Sequence, residues 1–155
     1  MSIAPTLRTF LDQNVTYDVM IHEPTMSSTR TAEAAHVSGD CLAKAVVLRR
    51  NGGYLLAVLP ASHRIRMADL KMRLGDDVEL APEREIDQLF RDCVHGAVPP
   101  IGECYGLDVI VDDSIDERPE IYMEGGDHET LIHMSHAQFA RLMADAPHAQ
   151  FSVHG

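Results

Sequence analysis

A lysine inside an apolar run is the first residue in this chain whose type and place suggest chemistry. Lys44 sits in Ala43-Lys44-Ala45-Val46-Val47-Leu48. Strand alternation puts it on the same face as Val46 and Leu48, with Ala45 and Val47 on the other. Both faces are apolar, which predicts a central strand. An unpaired buried charge is costly, so the ammonium must either snorkel to the sheet rim or enter a pocket. The pattern leaves both open.

Two further segments could serve a reaction. In Gly96-Ala97-Val98-Pro99-Pro100-Ile101-Gly102, glycine permits close approach of backbone to a ligand, and proline stiffens the loop so that free N–H groups can be aimed. Such a loop can hold an oxyanion; for a Gly/Pro segment taken by itself, a rigid connecting loop is the better reading. Gly125-Gly126-Asp127-His128 is a turn delivering a carboxylate and an imidazole just before a strand. Two solvated polar residues account for it as readily. The nine histidines raise a metal hydrolase as a rival, through His133-x-x-His136, Asp127-His128 and Cys93-Val94-His95. However, His133 falls in a predicted strand and His136 at a helix start, so they do not share one helical face. No metal ligand set is assigned.

The elements that must position these groups follow from hydrophobic period and turn residues. Pro5 opens a helix carrying Leu7, Phe10 and Leu11 that ends near Asn14. Val15, Tyr17, Val19 and Ile21 then alternate as a first strand. Thr29 caps a short helix through Ala32, Ala35 and His36 that Gly39 stops. Leu42 to Arg49, Asn51-Gly52-Gly53, and Tyr54 to Leu59 read as a β-hairpin around a glycine turn. Met67, Leu70 and Leu74 describe a helix stopped at Gly75. Pro82 opens another carrying Ile86, Leu89 and Phe90. Strands are predicted at Leu107–Val111, Ile121–Met123 and Thr130–Met134. Ser135 with Gln138 forms a capping box before Phe139, Leu142 and Met143. The tail from Ala146 to Gly155 shows no period and is expected to be loosely held. Strands and helices intermix without regular βαβ alternation, which favours an α+β fold with a mixed sheet that curls on itself. No GxGxxG or P-loop sequence follows a strand, so no nucleotide cofactor is indicated.

With 155 residues, 45% of them hydrophobic and 24% charged, the chain has the size and mixture of one globular domain. Its apolar stretches are too short for a membrane helix, and the N-terminus lacks the pattern of a signal peptide. A cytoplasmic protein with no membrane partner is expected. Cys41, Cys93 and Cys104 form no Cys-x-x-Cys pair and read as reduced thiols. The net charge of -11 weighs against a nucleic-acid partner, but residues 44–73 hold seven Lys and Arg against Asp69 alone, leaving -17 on the remainder. A basic window in an acidic chain is one way to meet RNA on a single face; scattered solvated charge is the other reading.

In their order and spacing, these features resemble the YbaK/prolyl-tRNA-synthetase-associated editing domain, from about His22 to Phe139. The resemblance is carried by His22-Glu23-Pro24 with Thr29 downstream, Ala43 to Leu48, Tyr54-Leu55-Leu56-Ala57-Val58-Leu59-Pro60, Gly96 to Gly102, Asp112-Asp113-Ser114-Ile115, and Gly126-Asp127-His128. It implies a barrel-like mixed sheet flanked by helices, spanning 1–155 as one stand-alone domain. The implied activity is hydrolysis of the ester of a mischarged aminoacyl-tRNA, whose 3′ end enters a cleft. The family's lysine falls on Lys44, which selects the pocket over the rim, and its glycine-to-proline loop falls on Gly96, Ala97, Val98 and Pro100, with Gly102 closing it. No protein nucleophile or cofactor is implied, because the terminal ribose hydroxyl of the substrate assists. Lys44 is then expected to anchor a phosphate or the ribose, and Asp127 and His128 to line the amino-acid side. His22 and Thr29 join them on the substrate-binding side. A synthetase is a candidate partner, and a silent tRNA- or synthetase-binding module remains the alternative from another class.

Overall fold

The computed structural model describes residues 2–155. Helix α1 (Pro5–Asn14) starts at proline, where a missing N–H breaks no helical bond, and buries Leu7 and Leu11. Strand β1 (Asp18–Ile21) follows, then α2 (Ser28–Ala35). The hairpin comes next, as β2 (Leu42–Arg50) and β3 (Gly53–Pro60). Its turn residues Asn51 and Gly52 have φ of 52° and 76°. Positive φ at both central positions is the type I′ signature whose twist matches paired strands. The antiparallel register runs from Ala43 opposite Pro60 to Arg50 opposite Gly53.

A short strand β4 (His63–Ile65), helix α3 (Met67–Leu74), strand β5 (Glu79–Leu80) and helix α4 (Glu83–Leu89) complete the first half. The second half contains β6 (Asp108–Asp112), β7 (Glu120–Glu124), β8 (Thr130–Ser135), α5 (His136–Leu142), β9 (His148–Ala149) and β10 (Ser152–His154). The main sheet has the order β1-β8-β7-β2-β3-β6-β9, with β5 pairing β2 beside that path and β4 pairing β10 separately. Parallel pairs β2–β7, β3–β6 and β6–β9 mix with antiparallel ones. This is the mixed sheet of an α+β fold. Hydrogen bonding does not join β1 to β9 among the described residues.

The hairpin is buried on both faces, as its unbroken apolar run requires. One face packs Leu48, Leu55 and Leu59 with Leu70, Ile110 and Phe151. The other packs Val47 and Leu56 with Phe90 and, at its margin, Val98. A third layer joins α1 and α5 to the sheet through Leu7, Leu11, Ile121, Met123, Ile132 and Phe139. No described helix is long and apolar enough to cross a membrane.

Several local expectations change. Thr29 lies within α2, whose cap is Ser27, accepting from the Arg30 N–H at 3.2 Å. His36, in the left-handed region at φ 57°, ends that helix ahead of Gly39. Val19 and Ile21 alternate onto the open face of an edge strand, 50% and 58% exposed, while Met20 packs inward. The expected loose tail is instead built into β9 and β10. Phe151 is fully buried, and its N–H donates to Asp112 Oδ1 at 2.8 Å. Sequence period missed it because two strands of two and three residues are too short to show one.

Candidate functional site

Strand β2 treats its two edges differently. Toward β3 it is paired throughout. On the other edge it meets β7 only at Leu42 and Ala43, and β5 only at Leu48 and Arg49. Between them lies a gap. The Ala61 N–H donates to Leu42 O at 2.7 Å and the Ala81 N–H to Val47 O at 3.0 Å. Backbone groups alternate sides along a strand, so even-numbered residues face β3 and the N–H and C=O of Ala45 face the gap. A cavity of about 290 Å³ opens there, with residues 42–47 as its floor. Leu80 and Ala81 stand at one end, Glu124 and His128 at the other, and Gly96 and Val98 above.

Lys44 belongs to this floor and is half-buried. Its Nζ donates to His63 O at 2.7 Å and lies 3.5 Å from Ala61 O. The ammonium is therefore held by the main-chain carbonyls of Ala61 and His63, with no carboxylate partner among the described residues. Burial lowers its pKa from the usual lysine value. Lys44 thus contributes to the cavity lining while its ammonium lies on the Ala61 and His63 carbonyls.

The loop above the floor is fixed by a small set of bonds. The Val94 N–H donates to Gly126 O at 2.8 Å and the Ala97 N–H to Val94 O at 2.9 Å. His128 Nε2 lies 2.7 Å from His95 O. A carbonyl only accepts, so Nε2 carries the proton. His128 itself has φ 65°, a left-handed conformation that swings the ring under the loop. Gly96 has φ 82°, and a Cβ there would meet the His128 ring at 3.5 Å. Its glycine is required mainly by the backbone angle.

These bonds sort the loop's N–H groups. Ala97 is buried with its N–H engaged, and Pro99 and Pro100 have none. Gly102 lies on the far side, where it and Ile101 line a separate groove of about 440 Å³. A Cβ on Gly102 would strike Leu107 O at 2.7 Å, so its role is close packing. Gly96 and Val98 line the cavity, and their N–H groups donate to no protein group among the described residues.

The remaining candidates fall outside the cavity lining. Thr29 is exposed on α2, whereas its neighbours Ser28 and Thr31 line the cavity. His22 is buried, with Nδ1 2.6 Å from Glu23 O and Nε2 without a hydrogen-bond partner among the described residues. Asp127 binds the turn together: Oδ1 accepts from the Thr130 and Glu129 N–H groups at 2.7 and 2.9 Å, and Oδ2 from Ser2 N–H at 2.7 Å. Nearby thiols are poor nucleophiles, since burial pushes Cys93 up to about 12 and Cys104 to about 11.

Glu124 was not singled out by sequence. Its position at the end of an apolar strand before Gly125-Gly126 was the available signal. That β7 runs parallel beside β2 and leaves it after Met123, so that Glu124 lines the cavity, is a tertiary fact. Burial raises its pKa, partly offset by the Gly126 N–H.

Comparison with known proteins bears on fold and family. No curated protein sequence matches the chain. Among solved structures, a hypothetical protein, APE2540, superposes with TM-score 0.83 at 24% identity, covering 96% of this chain and 99% of that one. A protein described as a candidate trans-editing enzyme for prolyl-tRNA synthetase gives 0.82 at 20% identity, with 98% and 99% covered. A candidate signal transduction protein from Marinobacter aquaeolei gives 0.76 at 21%, covering 96% of this chain but 30% of that one. At such identities these likenesses establish the fold. The sequence model of the aminoacyl-tRNA editing domain matches residues 22–142, most of the chain, and the protein belongs to that family.

Proposed function

We propose that this protein is a trans-acting deacylase, the whole chain serving as one editing domain that hydrolyses the ester joining a wrong amino acid to tRNA. The supporting observation is the cavity over the unpaired edge of β2, where Lys44 and two undonated loop N–H groups, of Gly96 and Val98, meet in an editing-domain chain. The aminoacyl group lies under the loop, and its carbonyl oxygen faces those N–H groups. Lys44, on the floor, takes a phosphate or ribose oxygen of the terminal nucleotide, exchanging neutral carbonyl partners for an anionic or polar ligand. Water, oriented by the adjacent ribose hydroxyl, adds to the ester carbon. The carbon–oxygen bond to the ribose then breaks, and the ribose oxygen leaves with a proton.

Such a site needs neither a protein nucleophile nor a cofactor. Positioning alone can remove roughly 7–11 kcal/mol at its ideal limit, and one well-aimed oxyanion donor contributes about 3–4 kcal/mol. His128 acts as a positioning residue: its bond to His95 O sets the pose of Gly96. Exposed Arg64, which follows His63 in β4, and exposed Lys71 and Arg73 on α3 supply a positive surface for the tRNA body. Purified protein incubated with a panel of mischarged tRNAs should release amino acid from one or a few of them, far above the uncatalysed rate. Binding of tRNA with no release from any member would instead support a silent binding module.

A further inference from the structure

Glu124 ends β7 where that strand parts from β2. Met123 is the last residue of β7 to pair, opposite Ala43, and Glu124 opens directly on the cavity. Its side chain is 15% exposed. Oε2 accepts from the Gly126 N–H at 3.1 Å. Besides the neighbouring Gly125 and Gly126 N–H groups, which favour the ionised form of Glu124, its nearest chargeable neighbour among the described residues is His128, with Nδ1 3.8 Å from Oε1. The His128 proton is on the other nitrogen, committed to His95 O. Lys44, one residue past the last β2–β7 pair, has its ammonium on His63 O. A largely buried carboxylate therefore borders an open cavity and, among the described residues, has no cation against it unless His128 takes a second proton, an arrangement that favours the arrival of a cation.

Building on the deacylase reading, we propose that Glu124 receives the α-ammonium group of the esterified amino acid. That ammonium is one carbon from the ester carbonyl. Fixing it at the Glu124 end of the cavity holds the carbonyl within the span bounded by Gly96 and Val98. Recognition then attaches to a group common to every aminoacyl-tRNA, and side-chain selection is left to other walls. An ester whose α-nitrogen carries no charge, as in a peptidyl-tRNA, leaves the carboxylate unpaired and is rejected.

The test compares an aminoacyl-tRNA that the protein cleaves with its α-hydroxy analogue, in which a hydroxyl of similar size replaces the ammonium. Each rate is normalised to uncatalysed hydrolysis, because the two esters differ in intrinsic lability. The unmodified protein is expected to favour the aminoacyl ester by about 10- to 100-fold in kcat/KM, the range of a hydrogen bond to a charged group. Glu124→Gln retains an acceptor for the Gly126 N–H and should reduce that preference to within about 3-fold, whereas Glu124→Asp retains part of it. A Glu124→Gln protein that keeps the full preference, or loses both substrates equally, overturns the assignment. If the unmodified protein cleaves no aminoacyl-tRNA, the deacylase reading fails first and takes this one with it. Melting curves of both variants separate recognition from loss of fold.

Discussion

The two edges of β2 carry opposite duties. Toward β3 every residue from Ala43 to Arg50 has a partner, and Leu48, Leu55 and Leu59 along that seam are buried. Toward β7 and β5 the pairing lapses over residues 44–47, and what fills the space is a cavity. A strand pinned along one edge cannot shift register, since a one-residue slip would reverse both of its faces. It can therefore present an unpaired stretch on the other edge without losing its place. Here stability and binding are divided between the sides of a single strand.

Disrupting the paired side should produce the largest effect. Leu55→Ala should lower unfolding free energy by about 2–5 kcal/mol, as for other large-to-small core changes. Denaturant melts would measure this, and kcat/KM per folded molecule should stay unchanged. A comparable loss of activity in the folded fraction would mean that the two edges are not separable.

On the open side, Lys44→Ala should cut deacylation by about 10- to 100-fold in kcat/KM, with a smaller fall in Tm from the lost bond to His63 O. Turnover close to normal would remove Lys44 from the site. Gly96→Ala forces a side chain into a left-handed angle, a strain of about 1–2 kcal/mol, while the added methyl only touches the His128 ring. We expect about a 10-fold loss of kcat, read in single-turnover assays that separate chemistry from binding. Thr29→Ala, on the exposed face of α2, should change activity less than about 2-fold and stability by under about 0.5 kcal/mol. A larger drop would extend the site onto that helix and redraw the boundary between edges.

Much of this was legible along the chain because it is local. Asn51-Gly52 can adopt positive φ cheaply, so the hairpin follows from adjacent residues. An apolar run around Lys44 marks a buried strand with a charge to place, and the Gly96–Gly102 loop and Gly126-Asp127-His128 turn are visible as segments with special backbone needs. The motif order was enough to indicate the editing family.

What the tertiary structure decided is which groups are free. Nothing local tells that the loop is tied by the Val94 N–H to Gly126 O or that Asp127 also accepts from Ser2. Nor does it tell that Gly102 faces a different groove. The tail escaped because Phe151 is buried by residues distant in sequence, Leu48 and Leu70 among them. Glu124 escaped because its environment depends on β7 aligning in parallel with β2 and then departing. Sequence determines which conformations each segment can afford; availability of a donor, an acceptor or a charge is set by long-range neighbours, and those exist only once the chain has folded.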